Sequence, residues 1–320
     1  MSDDRLYILD CDTGVDDAMA IGYLLAEASD SLAGVTTVFG NVDVQRASQN
    51  TRALLELGGR SDIPVHAGAA TSLDGAFWGS GHRVHGENGL GGVQLAPSEG
   101  AAGASESAPS YLVRMARENP GRMVIIAVGP LTNLAIALSM DPGIAELLAE
   151  IVIMGGAVRH PGNATPAAEA NIWHDPEAAA RVLRCGARVR LVPLDTTMQQ
   201  RLTGEEQTEL AASGSKFAQV VAQAAEHYLD FYASVFPGRQ CALHDPLVAA
   251  LALEAALVTS EVTTTVEVQL APGPARGQTV ADLRGFYKGP VHREGQTTSV
   301  VLEAQTGFSR RLVEALKSLP

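Results

Sequence analysis

The sequence predicts an α/β fold, with an open, mostly parallel sheet, helices on both of its faces and a small antiparallel appendage at the C-terminus. Short apolar runs such as residues 6–9 alternate with Ala- and Leu-rich helical segments along most of the 320 residues. Runs of this kind are typical of parallel strands that are buried on both faces. In the C-terminal part, polar and apolar residues alternate instead, which indicates antiparallel strands with one exposed face.

The elements follow in a regular order. In the first two thirds of the chain we predict strands at 6–9, 32–38, 64–68, 123–128, 151–154 and 189–193, with helices at 18–28, 46–57, 111–118, 131–139 and 176–185. We then predict helices within 204–236 and at 246–257, alternating strands at 263–270, 278–283 and 297–303, and a last helix at 309–319. Repeated β-α units predict an open Rossmann-like sheet. A dinucleotide-dependent dehydrogenase is disfavoured, because no G-x-G-x-x-G follows the first strand.

Residues 71–110 interrupt this alternation with a long stretch that is rich in Gly, Ser and Ala. A loop of this length is usually functional or disordered. We expect a lid over its first part, which carries His82, His85, Glu87 and Asn88, and a flexible surface excursion over 97–110. A plain linker between two domains is the alternative, although we expect a single domain over residues 1–320.

Composition excludes several classes of protein. Apolar residues make up 46% of the chain and the mean hydropathy is +0.08, which excludes a disordered or fibrous chain. The net charge of −13 disfavours nucleic acid and anionic membranes as partners, because like charges repel. The three cysteines lack metal-site spacing, and no apolar run is long enough for a signal peptide or a membrane span. We therefore expect a soluble, cytoplasmic protein.

Carboxylates cluster directly after the first predicted strand, where Asp10, Asp12, Asp16 and Asp17 place four acids in eight residues. Acids this close repel one another, and a hard cation with oxygen ligands relieves that repulsion. Asp16 and Asp17 could instead simply begin the next helix, where acids complement the helix dipole. That alternative does not explain Asp10 and Asp12, so the pattern favours a metal site.

Polar residues also follow other predicted strands, at the sheet edge where open α/β proteins bind their ligands. Asn41 follows the second strand, residues 128–133 form a Val-Gly-Pro-Leu-Thr-Asn turn, and Met154 precedes two glycines. Each of these segments alone is weak evidence, because strand-to-helix turns commonly have such residues.

Two further segments carry groups that could contact a substrate. Asn163, Glu169 and Asn171 offer amides and a carboxylate, which suit ribose hydroxyls, although bracing of a loop explains them equally well. His244 and Asp245 directly precede a proline at the start of a predicted helix. Asp245 could simply be the N-cap of that helix.

Taken together, these segments resemble the inosine-uridine preferring nucleoside hydrolases, from residue 6 to about 320. The matching pieces are 10–18, 40–41, 128–133, 154–156, 163–171, 244–246 and 277–280. The acidic motif is highly specific to that family. Thr13 stands where many members have Pro, and we expect the change to be tolerated, since both residues fit a turn. The family implies a homodimer or homotetramer that acts on a small ribonucleoside.

The resemblance implies one calcium ion per chain at the floor of a pocket. Asp12, both oxygens of Asp17, the carbonyl of Val128 and the carboxylate of Asp245 would coordinate it, with a water and two ribose hydroxyls. An all-oxygen set of this size suits Ca²⁺ better than Zn²⁺. Asp10 would brace the loop from behind. The implied substrate-binding residues near the sugar are Asp16, Asn41, Met154, Asn163, Glu169 and Asn171.

The same resemblance implies hydrolysis of the N-glycosidic bond to free base and ribose. Bond breaking builds positive charge on the ribose, which a carboxylate-rich site stabilises. Asp12 would activate the calcium-bound water as general base, and His244 would assist departure of the base. Tyr228 and Tyr232 share one helix face and could form a wall against the base, although core packing explains them equally well. His85 in the lid would also contact the base.

Two other classes of function stay open. A haloacid-dehalogenase-like phosphatase acting on nucleotides also begins with Asp-x-Asp after a strand, but here Gly14 stands where that motif needs Thr or Val. A non-catalytic ribose or nucleoside binding protein would keep the pocket, but it would not need both Asp12 and His244. A panel of nucleosides assayed for free reducing sugar separates these functions.

Overall fold

The computed structural model describes residues 5–75, 81–98, 105–284 and 298–320. Its strands are β1 (Leu6–Cys11), β2 (Leu32–Thr37), β3 (Val65–Ala67), β4 (Met123–Ala127), β5 (Glu150–Met154), β6 (Val189–Val192), β7 (Arg201–Thr203), β8 (Gln240–Ala242), β9 (Val258–Thr264), β10 (Val266–Val268), β11 (Thr279–Ala281) and β12 (Thr298–Ala304). Its α-helices are α1 (Val15–Ala28), α2 (Val44–Leu57), α3 (His82–His85), α4 (Ala108–Glu118), α5 (Thr132–Met140), α6 (Ala170–His174), α7 (Pro176–Val182), α8 (Leu194–Thr197), α9 (Gly204–Ala211), α10 (Lys216–Tyr232), α11 (Asp245–Leu253) and α12 (Phe308–Lys317).

The main sheet has the strand order β3-β2-β1-β4-β5-β6-β12-β9. Its strands run parallel from β3 through β12, and β9 pairs antiparallel with β12 at the edge. The direction of chain progress reverses between β1 and β4. In open α/β sheets, such a reversal opens a crevice at the carboxyl ends of the strands. The predicted α/β fold class is confirmed.

The C-terminal strands do not all belong to a separate appendage, because some of them join the main sheet. β10 and β11 form a small antiparallel pair, as the alternating pattern predicts. β12, however, joins the main sheet parallel to β6. Its central residues Val300, Val301 and Leu302 are buried, because β12 lies between two other strands of the main sheet.

Two apolar layers cover the two faces of the sheet. Successive side chains of β1 point to opposite faces and therefore pack into different layers. Tyr7, Leu9 and Cys11 face a core that includes residues of α1, α10, α11 and α12. Ile8 faces the opposite core, which includes residues of α4, α5 and α7. Each fully buried aliphatic side chain contributes about 1.5–3 kcal/mol through removal from water. The carboxyl end of β1 is therefore anchored from both faces.

The predicted loop 71–110 contains more regular structure than its composition indicates. α3 begins directly after Gly81. α4 begins inside the predicted excursion and has a proline in its first turn, where proline is favoured. Residues 76–80 and 99–104 lie outside the described residues, so the flexible excursion at 97–110 is only partly covered. Among the described residues, no helix is long and apolar enough to cross a membrane.

Candidate active site

The acidic turn after β1 has an unusual backbone. β1 ends at Cys11 and α1 begins at Val15, so Asp12, Thr13 and Gly14 form the turn. Thr13 has a φ of +26°, on the left-handed side that β-branched residues rarely adopt. A proline ring fixes φ at about −65°. Proline therefore does not fit this backbone, and the expectation that both residues suit the turn is wrong here.

Asp10 lies beneath the turn and is fully buried. Its Oδ1 accepts hydrogen bonds from the Thr36 hydroxyl at 2.6 Å and from the Asn133 amide at 2.8 Å. Asn133 also donates to the Thr37 carbonyl at 3.0 Å and accepts from the Ala69 N–H at 2.9 Å. Burial raises the pKa of Asp10 to about 6, although both hydrogen bonds lower it. Asn133 thereby ties the ends of neighbouring strands to the acid.

Asn41 joins two of the other acids. Its backbone N–H donates to Oδ2 of Asp12 at 2.7 Å, and its side-chain amide lies 3.1 Å from Oδ1 of Asp12 and 3.2 Å from Oδ2 of Asp17. The same oxygen of Asp17 accepts from the Gly14 N–H at 2.7 Å. Burial and the Asp17 carboxylate hold the pKa of Asp12 well above its usual value. Burial and Asp16 raise the pKa of Asp17 to about 7.

Asp16, Asp17 and Asp245 form the acidic cluster, with carboxylate oxygens within 4.8 Å of one another. The Oδ1 atoms of Asp16 and Asp17 are buried and have no hydrogen-bond partner among the described residues. Burial and neighbouring carboxylates hold the pKa of Asp245 well above its usual value. A hard cation would satisfy these oxygens and relieve the repulsion, so the cluster could bind a metal ion. Asp12, the expected ligand, lies beside this cluster with both oxygens facing Asn41.

A cavity of about 390 Å³ opens over the acidic cluster, within the range of small-molecule sites. Asp12 and Asp17 are buried behind its wall. The other sequence-predicted site residues line it: Asp16, Asn41, His85, Val128, Met154, Asn163, Glu169, Asn171, Tyr228, Tyr232, His244 and Asp245. Segments that are distant in sequence therefore meet at this one cavity.

The Asn171 side chain spans the ends of two strands. Its amide donates to the Val128 carbonyl after β4 at 2.9 Å and to the Met154 carbonyl at the end of β5 at 3.2 Å. A carbonyl oxygen has two lone pairs. The Val128 carbonyl can therefore accept this bond and still contact a cation.

Glu169 and Asn163 brace the loop before α6. Glu169 is the N-cap of α6 and accepts from the N–H groups of Asn171 at 2.8 Å, Ile172 at 3.1 Å and Gly156 at 2.9 Å. Oδ1 of Asn163 accepts from the N–H of Ala170, the first residue of α6, at 2.9 Å. Burial raises the pKa of Glu169 to about 7. The loop-bracing interpretation is correct for these contacts, and sugar binding by both residues stays a prediction.

Aromatic rings form the other wall of the cavity. The rings of Tyr228 and Tyr232, both on α10, meet edge to face at 5.0 Å. His85 stacks on Tyr228 with 5.4 Å between ring centroids, and Phe236 stacks on Tyr232 at 5.3 Å. The Tyr228 hydroxyl donates to Oδ2 of Asp16 at 3.1 Å. The core-packing interpretation of the tyrosines is correct, and both also line the cavity, whereas their contact with a nucleobase stays a prediction.

His244 is buried at the start of α11 and bonded through both ring nitrogens. Nε2 lies 2.7 Å from the Tyr232 hydroxyl, and Nδ1 lies 2.7 Å from the Thr197 hydroxyl. Burial lowers the pKa of His244 to about 4, so the ring is neutral at pH 7. His244 is the N-cap residue of α11, and Asp245 is the first residue of the helix. The alternative in which Asp245 is the N-cap is therefore wrong.

Sequence reasoning missed several residues of the site. Trp173 and His174 line the cavity two and three positions after Asn171, and their closeness to a predicted site residue is the only signal in the sequence. Thr197 contacts His244 from a helix of four residues, and no local pattern marks it. Asn133 belongs to the predicted turn, but its contact with Asp10 spans 123 positions.

Comparison with known proteins agrees with this geometry. Residues 7–308 match the family model described as inosine-uridine preferring nucleoside hydrolase. A probable uridine nucleosidase 2 of Arabidopsis thaliana is 37% identical over 287 residues, which are 89% of this chain and 86% of that protein. The structure of the plant nucleoside hydrolase PpNRh1 superposes with a TM-score of 0.88 at 36% identity, covering 98% of both chains. The purine-preferring ribonucleoside hydrolase of Gardnerella vaginalis gives a TM-score of 0.88 at 30% identity, covering 98% of this chain and 97% of that one.

An α/β sheet with an acid-floored cavity at the carboxyl ends of its strands defines a small-molecule binding protein of the open-sheet class. The chain belongs to the inosine-uridine preferring nucleoside hydrolase family. It is thus an enzyme that hydrolyses the N-glycosidic bond of ribonucleosides. The family match predicted from the acidic motif is confirmed, and the phosphatase alternative is not supported.

Proposed function

We propose that the chain hydrolyses ribonucleosides with Asp12 as general base and with one Ca²⁺ held by Asp12, Asp17, the Val128 carbonyl and Asp245. The observation that carries the proposal is the acidic cluster at the floor of the cavity, whose buried Oδ1 atoms of Asp16 and Asp17 have no hydrogen-bond partner within the part of the chain that the structure describes. Oxygen ligands of this number and charge are those that Ca²⁺ prefers. When bound, the ion would supply positive charge that orients ribose hydroxyls and makes a nearby water easier to deprotonate.

The sugar would lie against the polar end of the cavity. Asp16, Asn41, Asn163, Glu169 and Asn171 line that end and offer both acceptors and donors to hydroxyl groups. Carboxylates near the reacting carbon would also stabilise the positive charge that develops on the ribose as the bond breaks. This arrangement suits an uncharged nucleoside better than a substrate with a phosphate, which the acids would repel.

Asp12 would accept the proton of the attacking water. Its carboxylate is fixed by two hydrogen bonds from Asn41, which hold it in one orientation. A general base contributes about 10²–10⁴ in rate. Fixed orientation matters because proton transfer needs the base within hydrogen-bond reach of the water.

The nucleobase of the substrate would lie against the aromatic wall. His244 and Tyr232 form a hydrogen-bonded pair that lines the cavity, and His85 lies on Tyr228 beside them. Donation of a hydrogen bond from this pair would stabilise the negative charge on a departing base. Relatives with names that specify uridine and purines indicate that the test should include both kinds of base.

The test compares Asp12→Asn with the wild type on uridine, cytidine, inosine and adenosine, measuring free reducing sugar. We expect kcat to fall by about 10²–10⁴ on every substrate that the wild type hydrolyses, because the amide cannot accept a proton. The matched control is Asp30→Asn, the same chemical change at a fully exposed side chain, and it should leave kcat unchanged. A fall of less than tenfold in Asp12→Asn, with circular dichroism unchanged, would remove Asp12 from the role of base.

A further inference from the structure

We propose that Thr197 is a positioning residue: its hydroxyl donates to Nδ1 of His244 and so directs a chain of hydrogen bonds through His244 and Tyr232 into the cavity. This inference rests on the proposed role of His244 in assisting the departing base. It concerns a residue of α8 that does not line the cavity and that no motif of the sequence marks.

The surroundings of the Thr197 hydroxyl determine the direction of its hydrogen bond. Thr197 is fully buried, and among the described residues its Oγ1 has one hydrogen-bond partner, Nδ1 of His244 at 2.7 Å. If Oγ1 accepted from His244, its own hydrogen would have no acceptor, and unsatisfied buried donors are strongly disfavoured. The hydroxyl therefore donates, and Nδ1 of His244 accepts.

This direction fixes the tautomer of His244. A neutral imidazole carries one hydrogen, so a ring that accepts at Nδ1 has its hydrogen on Nε2. Nε2 lies 2.7 Å from the Tyr232 hydroxyl oxygen and therefore donates to it. His244 cannot rotate to exchange its nitrogens without breaking both of these contacts.

The hydroxyl hydrogen of Tyr232 is then not used in the contact with His244 and can be donated toward the cavity. Because the oxygen of Tyr232 accepts from His244, its own O–H can donate to an acceptor atom of a bound base. Tyr232 lines the cavity in which such a ligand would lie. All the bonds point the same way, from Thr197 through His244 to Tyr232, and each donor in such a chain is strengthened by the one behind it. The charge on the departing base is thus stabilised by a donor aligned from outside the cavity.

The neighbouring residue offers a matched control. Thr196 is also fully buried on α8, but its hydroxyl donates to the Val301 carbonyl at 2.8 Å, away from His244. Thr197→Val and Thr196→Val remove the same atom from adjacent positions of one helix. Thr197→Ser keeps the hydroxyl and should restore the contact.

The first experiment measures kcat with uridine and inosine, whose bases leave poorly, and with p-nitrophenyl riboside, whose leaving group is already a stable anion. We expect Thr197→Val to lower kcat about tenfold on the nucleosides, the value of one hydrogen bond, and less than twofold on p-nitrophenyl riboside. Thr197→Ser should stay within twofold of the wild type on every substrate, and Thr196→Val should affect all substrates alike. Equal losses on both kinds of substrate in Thr197→Val would overturn the proposal.

The second experiment does not depend on activity. Nitrogen-15 NMR of the wild-type protein labelled at histidine distinguishes a protonated ring nitrogen from an unprotonated one, with His244→Gln used to assign the signals. We expect His244 to carry its hydrogen on Nε2 at pH 7. A hydrogen on Nδ1 would overturn the proposal even if nucleoside hydrolysis is confirmed, and the expected tautomer in a protein without hydrolase activity would refute the proposed function alone.

Discussion

Replacement of Asn133 by alanine tests how the fold holds the acids in place. Asn133 is fully buried on α5 and bonds to Asp10, to the Thr37 carbonyl and to the Ala69 N–H, at 2.8, 3.0 and 2.9 Å. Alanine removes both polar ends of the side chain. The Ala69 N–H then loses this partner at a partly buried position, while the Thr37 carbonyl keeps only its bond from the Gly68 N–H at 2.9 Å.

The magnitude follows from these contacts. Each buried hydrogen bond contributes about 1 kcal/mol net, and a group left unsatisfied costs about 1–3 kcal/mol. With three bonds lost, we expect Asn133→Ala to lower the free energy of unfolding by about 3–5 kcal/mol. This is a large part of the stability of a typical protein, which is about 5–15 kcal/mol.

Urea denaturation followed by circular dichroism measures the effect as a shift of the midpoint at constant slope. The control is Asn119→Ala, which removes one side-chain bond to the Met115 carbonyl at 3.1 Å in a partly exposed turn and should cost about 0.5–1 kcal/mol. A loss below about 1 kcal/mol in Asn133→Ala would refute the reasoning, because the three contacts would then contribute no more than a single surface one.

Three further predictions concern the same site. His244→Ala should lower kcat strongly for inosine and uridine, because their bases leave poorly without the help of His244. It should barely change kcat for p-nitrophenyl riboside, whose leaving group needs no such help. Equal losses on both kinds of substrate would reject the leaving-group role. Elemental analysis of protein purified without added metal should give about one calcium per chain, and zinc, or full activity without metal, would contradict the calcium proposal. Gly68→Ala should destabilise the protein by about 1–3 kcal/mol in urea, because its Cβ would lie 2.0 Å from Oδ1 of Asn133, whereas Gly214→Ala, which meets nothing within 4 Å, should not. A stable Gly68→Ala variant would mean that Asn133 can move freely.

Local patterns were enough to predict much of the fold. The apolar run of β1 ends where the acids begin, so the sequence alone placed Asp10 and Asp12 at the carboxyl end of a buried strand. Helices and strands alternate in the order that the periodicity indicated, because each buried face leaves its own period in the sequence. Pattern did not place β12, whose residues join β6 across more than 100 positions, since pairing between distant strands leaves no local signal.

Some residues of the candidate site could likewise be predicted from local sequence, and others could not. The acidic motif and the pair His244-Asp245 could be found in the sequence because the residues of each lie close together along the chain and resemble a family. The helix predicted at 111–118 is present, but α4 begins three residues earlier, at Ala108, because Ser and Ala are as common in helix starts as in loops.

What the tertiary structure alone decided is which partner each polar group has. The sequence determined that carboxylates follow a strand and that a histidine precedes a helix. It did not determine that Asn41 bridges Asp12 and Asp17, or that Thr197 lies behind His244. A hydrogen bond depends on atoms within about 3 Å and on their direction, and only the packing of distant segments sets both.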